Sequence, residues 1–72
     1  MDGYQALANA IVTMAAKDYR SALRHLKRYP DSESAVSAKR ELEAFFHSEW
    51  YSLLTTVDCN LILNRIREEE AE

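Results

Sequence analysis

Three side chains of this sequence are of the types that bind transition metals: His25, His47 and Cys59. Zinc sites usually place their ligands in close pairs such as CxxC or HxxxH, and these three residues form no such pair. The segment "HSE" at residues 47–49 matches the H-x-E of zinc deaminases, but the paired cysteines that complete that motif are absent. We therefore predict neither a metal site nor a cofactor, and we interpret Cys59 as a small core residue.

Glu49 is a second candidate for chemistry, since it lies among aromatic residues in "FFHSEWYSLL", residues 45–54. At 100° per residue of a helix, it falls between Phe45 and Leu53 on the apolar stripe. A buried carboxylate needs a hydrogen bond or an opposite charge. Three roles are open: a bond to a Tyr hydroxyl or an Arg at the bundle edge, a contact with a cation on another chain, or catalysis. We disfavour catalysis, because no second acid or nucleophile lies at a defined spacing.

A basic strip follows one face of the first predicted helix, with its members mostly three or four residues apart. Its residues are Lys17, Arg20, Arg24, Lys27 and Arg28. Such a row can follow the phosphates of a nucleic acid. The alternative is a solvated helix face, with cations near the helix C-terminus, where the macrodipole favours them. We favour the solvated face, because no glycine-rich loop or interleaved aromatic residue accompanies the strip and the net charge is −3.

Three large side chains lie away from the centres of the predicted apolar stripes: Trp50, Tyr51 and Leu61. We expect Trp50, at the border of its stripe, to be buried at an edge of the bundle. For Tyr51 and Leu61 burial and exposure are both open. Exposed side chains of these types anchor protein–protein contacts. Together with Glu49, these three are the predicted protein-binding residues.

Helical periodicity must position all of these residues. An apolar stripe predicts a first helix over about residues 3–29, ended by Pro30 and started by Asp2 and Gln5 as a capping box. The stripe consists of Tyr4, Ala8, Ile11, Ala15, Tyr19, Ala22 and Leu26, with Leu7 and Tyr29 at its edge.

Two further helices are predicted, over about residues 32–54 and about residues 56–69. Asp31 or Ser32 caps the first of them. The acidic run "EEEAE", residues 68–72, is expected to fray, and residues 70–72 are its tail beyond the predicted helix. The predicted apolar positions of these helices are Ala35, Ala38, Leu42, Phe45, Phe46 and Leu53, followed by Cys59, Ile62, Leu63 and Ile66.

We therefore predict a single all-α domain over residues 1–72, a small three-helix bundle of two long antiparallel helices and a shorter C-terminal helix. A chain of 72 residues has room for one domain, and 47% apolar residues are too many for disorder. So short a chain buries barely enough apolar surface to offset its conformational entropy, so we expect support from a partner or a second copy. A single cysteine suits the reducing cytoplasm, and no apolar run approaches the ~20 residues that span a membrane.

The chain resembles small helical proteins encoded in prophages and conjugative elements of Gram-positive bacteria. The resemblance covers nearly the whole chain, in "LANAIVTMAAKDYRSALRHLKRYP", "ELEAFFHSEWYSLLT" and "VDCNLILNRIREE". Its most specific part is "FFHSEWYSLLT", followed by an acidic residue and a Leu/Ile-rich helix. Relatives often have an Asp-Gly pair where this chain has Asp58 and Cys59, so the resemblance does not fix the start of the last helix. No activity and no catalytic residue comes with it.

The resemblance implies a setting, the accessory genes of mobile elements. Small proteins from that setting commonly bind a host or phage protein, including immune effectors such as CRISPR nucleases. We therefore predict a non-enzymatic protein of the bacterial cytoplasm that binds another protein, with inhibition of a host defence effector as one form and a homodimer as its own assembly. The alternative is a nucleic-acid-associated accessory factor that uses the basic strip.

Overall fold

The computed structural model describes residues 3–70, and these form four α-helices. They are α1 (Gly3–Arg28), α2 (Glu33–Phe46), α3 (Glu49–Leu54) and α4 (Cys59–Glu70). No strand occurs in this part of the chain, so the predicted all-α class is confirmed. The predicted cap at Asp2, the Tyr4 side chain and residues 71–72 lie outside the described residues.

The first helix, α1, was predicted over about residues 3–29, and the structure confirms this, with the C-terminal end one residue earlier. It is 26 residues long, and at 1.5 Å per residue it measures about 39 Å. That is nearly the whole longest dimension of the molecule, 42 Å. The helix stops before Pro30, which lacks an N–H donor and restricts the backbone of the residue before it.

The second helix, α2, runs back along α1. Ser32 caps it, as predicted, by accepting a hydrogen bond from the Ala35 N–H at 3.3 Å. Ala35 lines a groove with Ala22 near the start of α2, and Phe46 packs edge-on against Tyr19 at its end, with ring centroids 6.2 Å apart. The antiparallel arrangement is therefore present, although α2 is much shorter than predicted.

A break at His47 and Ser48 makes the single helix predicted over residues 32–54 wrong. The Ser48 hydroxyl donates to the Phe45 carbonyl at 2.6 Å and accepts from the Tyr51 N–H at 3.4 Å. A serine side chain bonded to nearby backbone groups competes with the helical hydrogen bonds. Ser48 is thus the N-cap of a new helix, α3.

The break also changes which side chains of α3 face the core. Tyr51 and Leu54 are buried, whereas Trp50 and Leu53 are 69% and 68% exposed. The predicted burial of Trp50 and Leu53 is therefore wrong. The prediction assumed one uninterrupted helix, in which Leu53 would lie on the same apolar stripe as Phe45, and the break between α2 and α3 removes that alignment. Glu49 becomes the first residue of α3 and is exposed, so its predicted place on a buried apolar stripe is wrong.

The last helix, α4, begins at Cys59, later than predicted. The Asp58 carboxylate accepts a hydrogen bond from the Asn60 N–H at 2.9 Å, which fixes the start of the helix. The helix extends to Glu70, whose carboxylate forms ion pairs with α1. The expected fraying at residue 70 is therefore wrong.

The core joins all four helices around a cluster of five buried residues. They are Tyr19 of α1, Phe46 of α2, Tyr51 of α3, and Leu63 and Ile66 of α4. Aromatic rings meet edge-on within this cluster, a favourable arrangement of ring quadrupoles. Since α3 contributes Tyr51 and contacts α1 directly, the core also fixes the orientation of the exposed side of α3.

Candidate protein-binding surface

Glu43 is the centre of a polar cluster that joins three helices. Its Oε2 atom accepts from the Tyr19 hydroxyl of α1 at 2.7 Å and from Arg67 Nη2 of α4 at 3.1 Å. Lys39, one turn earlier on α2, lies 3.0 Å from the same oxygen. Arg67 Nε also donates to the Tyr19 hydroxyl, at 3.1 Å. The bond to a Tyr hydroxyl or an Arg, one of the roles left open for Glu49, is made by Glu43 instead.

The surroundings of this cluster shift the pKa values of its members. Burial raises the pKa of Tyr19, and its hydrogen bond to Glu43 raises it further. Burial alone would also raise the pKa of Glu43, but the hydrogen bonds from Tyr19, Lys39 and Arg67 outweigh it, so the pKa of Glu43 is lowered. The pKa of Arg67 is raised, mainly by its hydrogen bond to Tyr19. Because the carboxylate of Glu43 is paired with two cations and bonded to residues of two other helices, we interpret the cluster as a structural tie between α1, α2 and α4.

Only two of the three metal-ligand residues are close together. Cys59 Sγ lies 3.6 Å from His47 Nδ1, beside an open cleft of about 590 Å³. His25 instead packs on Tyr29 at the C-terminal end of α1, with ring centroids 5.0 Å apart. Across residues 3–70, no three His, Cys, Asp or Glu side chains are placed to hold a metal ion. Two ligands fall short of a tetrahedral zinc site, and Cys59 packs against the core, as predicted.

Tyr51 does not belong to the surface. Its side chain is 4% exposed, and its hydroxyl has no hydrogen-bond partner among the described residues. Burial raises the pKa of Tyr51, and the charges of Cys59 and Asp58 add to the effect. Of the two outcomes left open for this residue, burial is correct, so Tyr51 leaves the set of surface anchors.

The basic strip lies against the acidic end of α4. Arg20 Nη2 is 3.0 Å from Glu69, and Arg24 Nε is 3.1 Å from Glu70. Lys27 Nζ is 4.0 Å from the same Glu70 carboxylate. Three of the five basic side chains thus have carboxylates beside them, in the positions that phosphates would need. For the other two, Lys17 and Arg28, residues 3–70 provide no ion pair.

Six of the large exposed apolar side chains belong to two segments, the N-terminal half of α1 and the stretch from α3 into the loop after it, and α3 contacts α1. Leu7, Ile11 and Met14 follow one another at i, i+4 and i+7, so they lie on one face of α1. Trp50 and Leu53, at i and i+3, share one side of α3. Val57, in the loop after α3, is exposed as well. We call these six residues the apolar end; the described part of the chain has two other large exposed apolar side chains, Tyr29 and Leu61.

The predicted binding residues are therefore divided between different surfaces. Glu49 and Trp50 lie on α3, at the apolar end. Leu61 is as exposed as Leu53, at 67%, but it lines a different, charged groove of α4 with Arg65 and other polar residues. A single apolar side chain in polar surroundings is normal for a protein surface.

A charge pattern in the sequence could have revealed the apolar end. The chain has nine basic and twelve acidic residues, yet the segment 3–16 contains none of them. In the segment 49–57, Glu49 is the only charged residue. Depletion of charge, together with aromatic residues and Met, is the compositional mark of the buried centre of an interface.

Comparisons of this chain with protein-family models, with curated proteins and with solved structures gave no match. Across residues 3–70, none of the helices combines the length and apolarity that a bilayer crossing requires.

Proposed function

We propose that this protein is a non-enzymatic binding protein that recognises another protein through its apolar end. The observation that carries the proposal is a concentration of exposed apolar side chains in two segments with a single charge, Glu49. Monomeric soluble proteins rarely expose apolar side chains in such groups without a binding role.

The construction of α3 suits a binding element. Ser48 caps the helix, and Tyr51 and Leu54 anchor it in the core, so the side opposite the core is held in one orientation. Trp50 and Leu53 are exposed on the surface beside these two buried residues. A tryptophan held in this way loses little conformational entropy on binding, which is why tryptophan is enriched among the residues that dominate interface energies.

The neighbouring row on α1 extends the surface along a helix. Leu7, Ile11 and Met14 offer the i, i+4, i+7 spacing with which helices pack against each other or into grooves. Met14 adds a flexible, polarisable side chain that adapts to irregular partners. The favoured partner is therefore a protein with an apolar groove or an amphipathic helix.

The sequence resemblance adds a setting to this proposal. If the chain belongs among accessory proteins of mobile elements, its partner is a host or phage protein. Inhibition of a defence effector such as a CRISPR nuclease is then one form of the proposed binding.

Binding to nucleic acid through the basic strip has less support. The carboxylates of Glu69 and Glu70 lie beside Arg20, Arg24 and Lys27, so a phosphate backbone would have to displace them. Affinity for duplex DNA that falls steeply with salt would be the sign of that alternative.

Two matched leucines test the proposal. Leu53 and Leu61 have the same side chain and nearly the same exposure, 68% and 67%, but only Leu53 lies at the apolar end. The tagged wild-type chain, Leu53→Asp and Leu61→Asp are each used to capture proteins from a lysate of infected host cells, after circular dichroism has shown equal helicity.

We expect specifically captured proteins to be lost with Leu53→Asp and retained with Leu61→Asp, because a buried, unpaired carboxylate opposes the contact at the apolar end only. Equal capture by all three chains would contradict the proposal. Loss with Leu61→Asp alone would move the binding surface to the outer face of α4.

A further inference from the structure

We infer that the open cleft beside α3 binds an arginine side chain of the partner protein. The inference rests on the proposed function, since it names a chemical property of the partner that the apolar end recognises. The cleft measures about 590 Å³ and is lined by residues from the end of α2 to the start of α4. Val57 of the apolar end lines it as well, so a protein bound at the apolar end also reaches the cleft.

The charge of the cleft favours a cation. Its lining includes the carboxylates of Glu49 and Asp58, whereas no Lys or Arg of the described residues lines it, and residues 41–64 of the sequence contain none. Asp58 Oδ1 accepts a hydrogen bond from the Asn60 N–H. Within residues 3–70 neither of the two carboxylates forms an ion pair, although Glu43, Glu69 and Glu70 all do. A positively charged group from another chain is therefore the complementary ligand.

A buried hydroxyl group in the same cleft lacks a hydrogen bond. Tyr51 lines the cleft from the core side, its side chain is 4% exposed, and its hydroxyl has no partner among residues 3–70. Burial raises the pKa of Tyr51, and the charges of Cys59 and Asp58 raise it further, so the hydroxyl lies towards these two cleft residues. A buried polar group without a partner is costly. A hydrogen-bond donor that enters the cleft beside Asp58 would supply the missing bond.

The number of acceptors favours arginine over lysine. Besides the two carboxylates and the Tyr51 hydroxyl, four further hydroxyl groups line the cleft, those of Ser48, Ser52, Thr55 and Thr56. A guanidinium group has five N–H donors in one plane, so it bonds to several separated acceptors at once. The ammonium group of lysine is a compact charge with three donors. The partner is thus a protein with an arginine beside its apolar contact surface.

A titration of the purified chain with two capped amino acids, followed by the NMR shifts of its backbone amides, tests the inference. The probes are N-acetyl-arginine methylamide and N-acetyl-citrulline methylamide, which has nearly the same shape but no charge. We expect the arginine probe to shift residues 49–59 saturably, with a dissociation constant below about 20 mM, and the citrulline probe to bind at least about fivefold more weakly. N-acetyl-lysine methylamide should bind roughly threefold more weakly than the arginine probe.

Three variants connect the binding to the cleft. Asp58→Asn, which keeps a residue able to cap α4, and Tyr51→Phe, which keeps the buried ring, should each raise the dissociation constant of the arginine probe by about threefold or more. Glu41→Gln removes the same charge from an exposed position on α2 and should change it by less than about 1.5-fold. Tyr51→Phe should unfold in urea at no lower concentration than the wild type, because its hydroxyl has no bond to lose within residues 3–70. A clear loss of stability would overturn the role of this hydroxyl.

The outcomes separate the inference from the proposed function. Equal binding of the arginine and citrulline probes, or no saturable shift up to about 100 mM, would overturn the arginine site. Equal binding of the lysine probe would overturn the choice of arginine. The loss of lysate capture with Leu53→Asp would still hold in these cases, and the proposed function would survive. Arginine binding that Asp58→Asn and Tyr51→Phe weaken, in a chain whose capture of proteins is unchanged by Leu53→Asp, would keep the arginine site and remove the apolar end as the recognition surface.

Discussion

The two ends of α1 differ in the side chains that they expose. At its C-terminal end, the basic side chains of α1 lie beside the carboxylates of Glu69 and Glu70, and Glu43 connects α2 to both neighbouring helices. Towards its N-terminal end, residues 3–16 carry no charged side chain, and Leu7, Ile11 and Met14 face water. One end satisfies its polar groups within the chain, whereas the other leaves apolar groups that only a second molecule can cover.

The difference separates the groups that hold the helices together from the surface that we propose for binding. The core cluster and the Glu43 cluster hold the helices together. The apolar end takes its rigidity from them but contributes little to the fold of the isolated chain. Changes on the two sides should therefore affect different measurements.

Removal of a core ring is the change with the largest expected effect. Phe46→Ala should lower the free energy of unfolding by about 3–5 kcal/mol, because Phe46 is fully buried and contacts two other rings of the cluster. Leu53→Ala should change it by less than about 0.5 kcal/mol, because its side chain is mostly in water in the monomer. Urea unfolding at a concentration where the chain is monomeric measures both. Similar losses for the two variants would show that the apolar end belongs to the core.

The second effect concerns the Glu43 cluster. Glu43→Gln should lower the free energy of unfolding by about 1–3 kcal/mol, because Tyr19 and Arg67 lose a charged acceptor that joins α1 and α4 to α2. Glu41→Gln, an exposed position on the same helix, is the matched control and should have almost no effect. Equal stability of the two variants in urea unfolding would mean that the cluster does not hold the helices together.

The same carboxylate predicts a pH dependence. In the folded chain the pKa of Glu43 lies below its reference value of 4.5, so the unfolded chain binds the proton first as the pH falls. The stabilisation by Glu43 is therefore present above about pH 4.5, the reference value of a free glutamate, and is lost as the pH drops through the lower folded value. Wild type and Glu43→Gln should converge in stability in acid. A difference between them that stays constant from neutral pH into acid would argue against an ionised Glu43 at the centre of the cluster.

The smallest of the three effects concerns the break that orients α3. Ser48→Ala should lower the free energy of unfolding by about 1 kcal/mol, since the cap of α3 is lost. Ser52→Ala is a useful control, because its hydroxyl donates only to the Glu49 carbonyl within α3. If Ser48→Ala instead stabilises the chain, residues 32–54 prefer the continuous helix, and the exposed position of Trp50 loses its explanation.

Local signals in the sequence predicted much of this fold. The extent of α1 follows from its periodicity and Pro30, and Ser32 caps α2 because a serine before a helical segment can bond back to it. The break at Ser48 could not be predicted from periodicity, because Phe45 and Leu53 fall on one stripe if the helix is continuous. Ser48 followed by Glu49 is itself a helix-start signal, but it lies within a segment whose helix propensity hides it.

The candidate surface was harder to predict because it depends on tertiary contacts. Trp50 is exposed because the break turns it away from the core, and Ile11 stays partly exposed although it lies on the apolar stripe of α1. The role of Glu43 required two partners that are each 24 residues away in the sequence. The scarcity of charge in the segments 3–16 and 49–57 was visible in the sequence itself.

Trp50 gives the most direct test of the central claim, that the apolar end faces water in the free chain and is covered by a protein. It is the only tryptophan, so its fluorescence reports on this surface alone. Acrylamide should quench it strongly in the free monomer and weakly in the complex with a captured partner. Strong protection of Trp50 in a chain shown to be monomeric would contradict the account, because it would mean that the side chain is buried within the monomer.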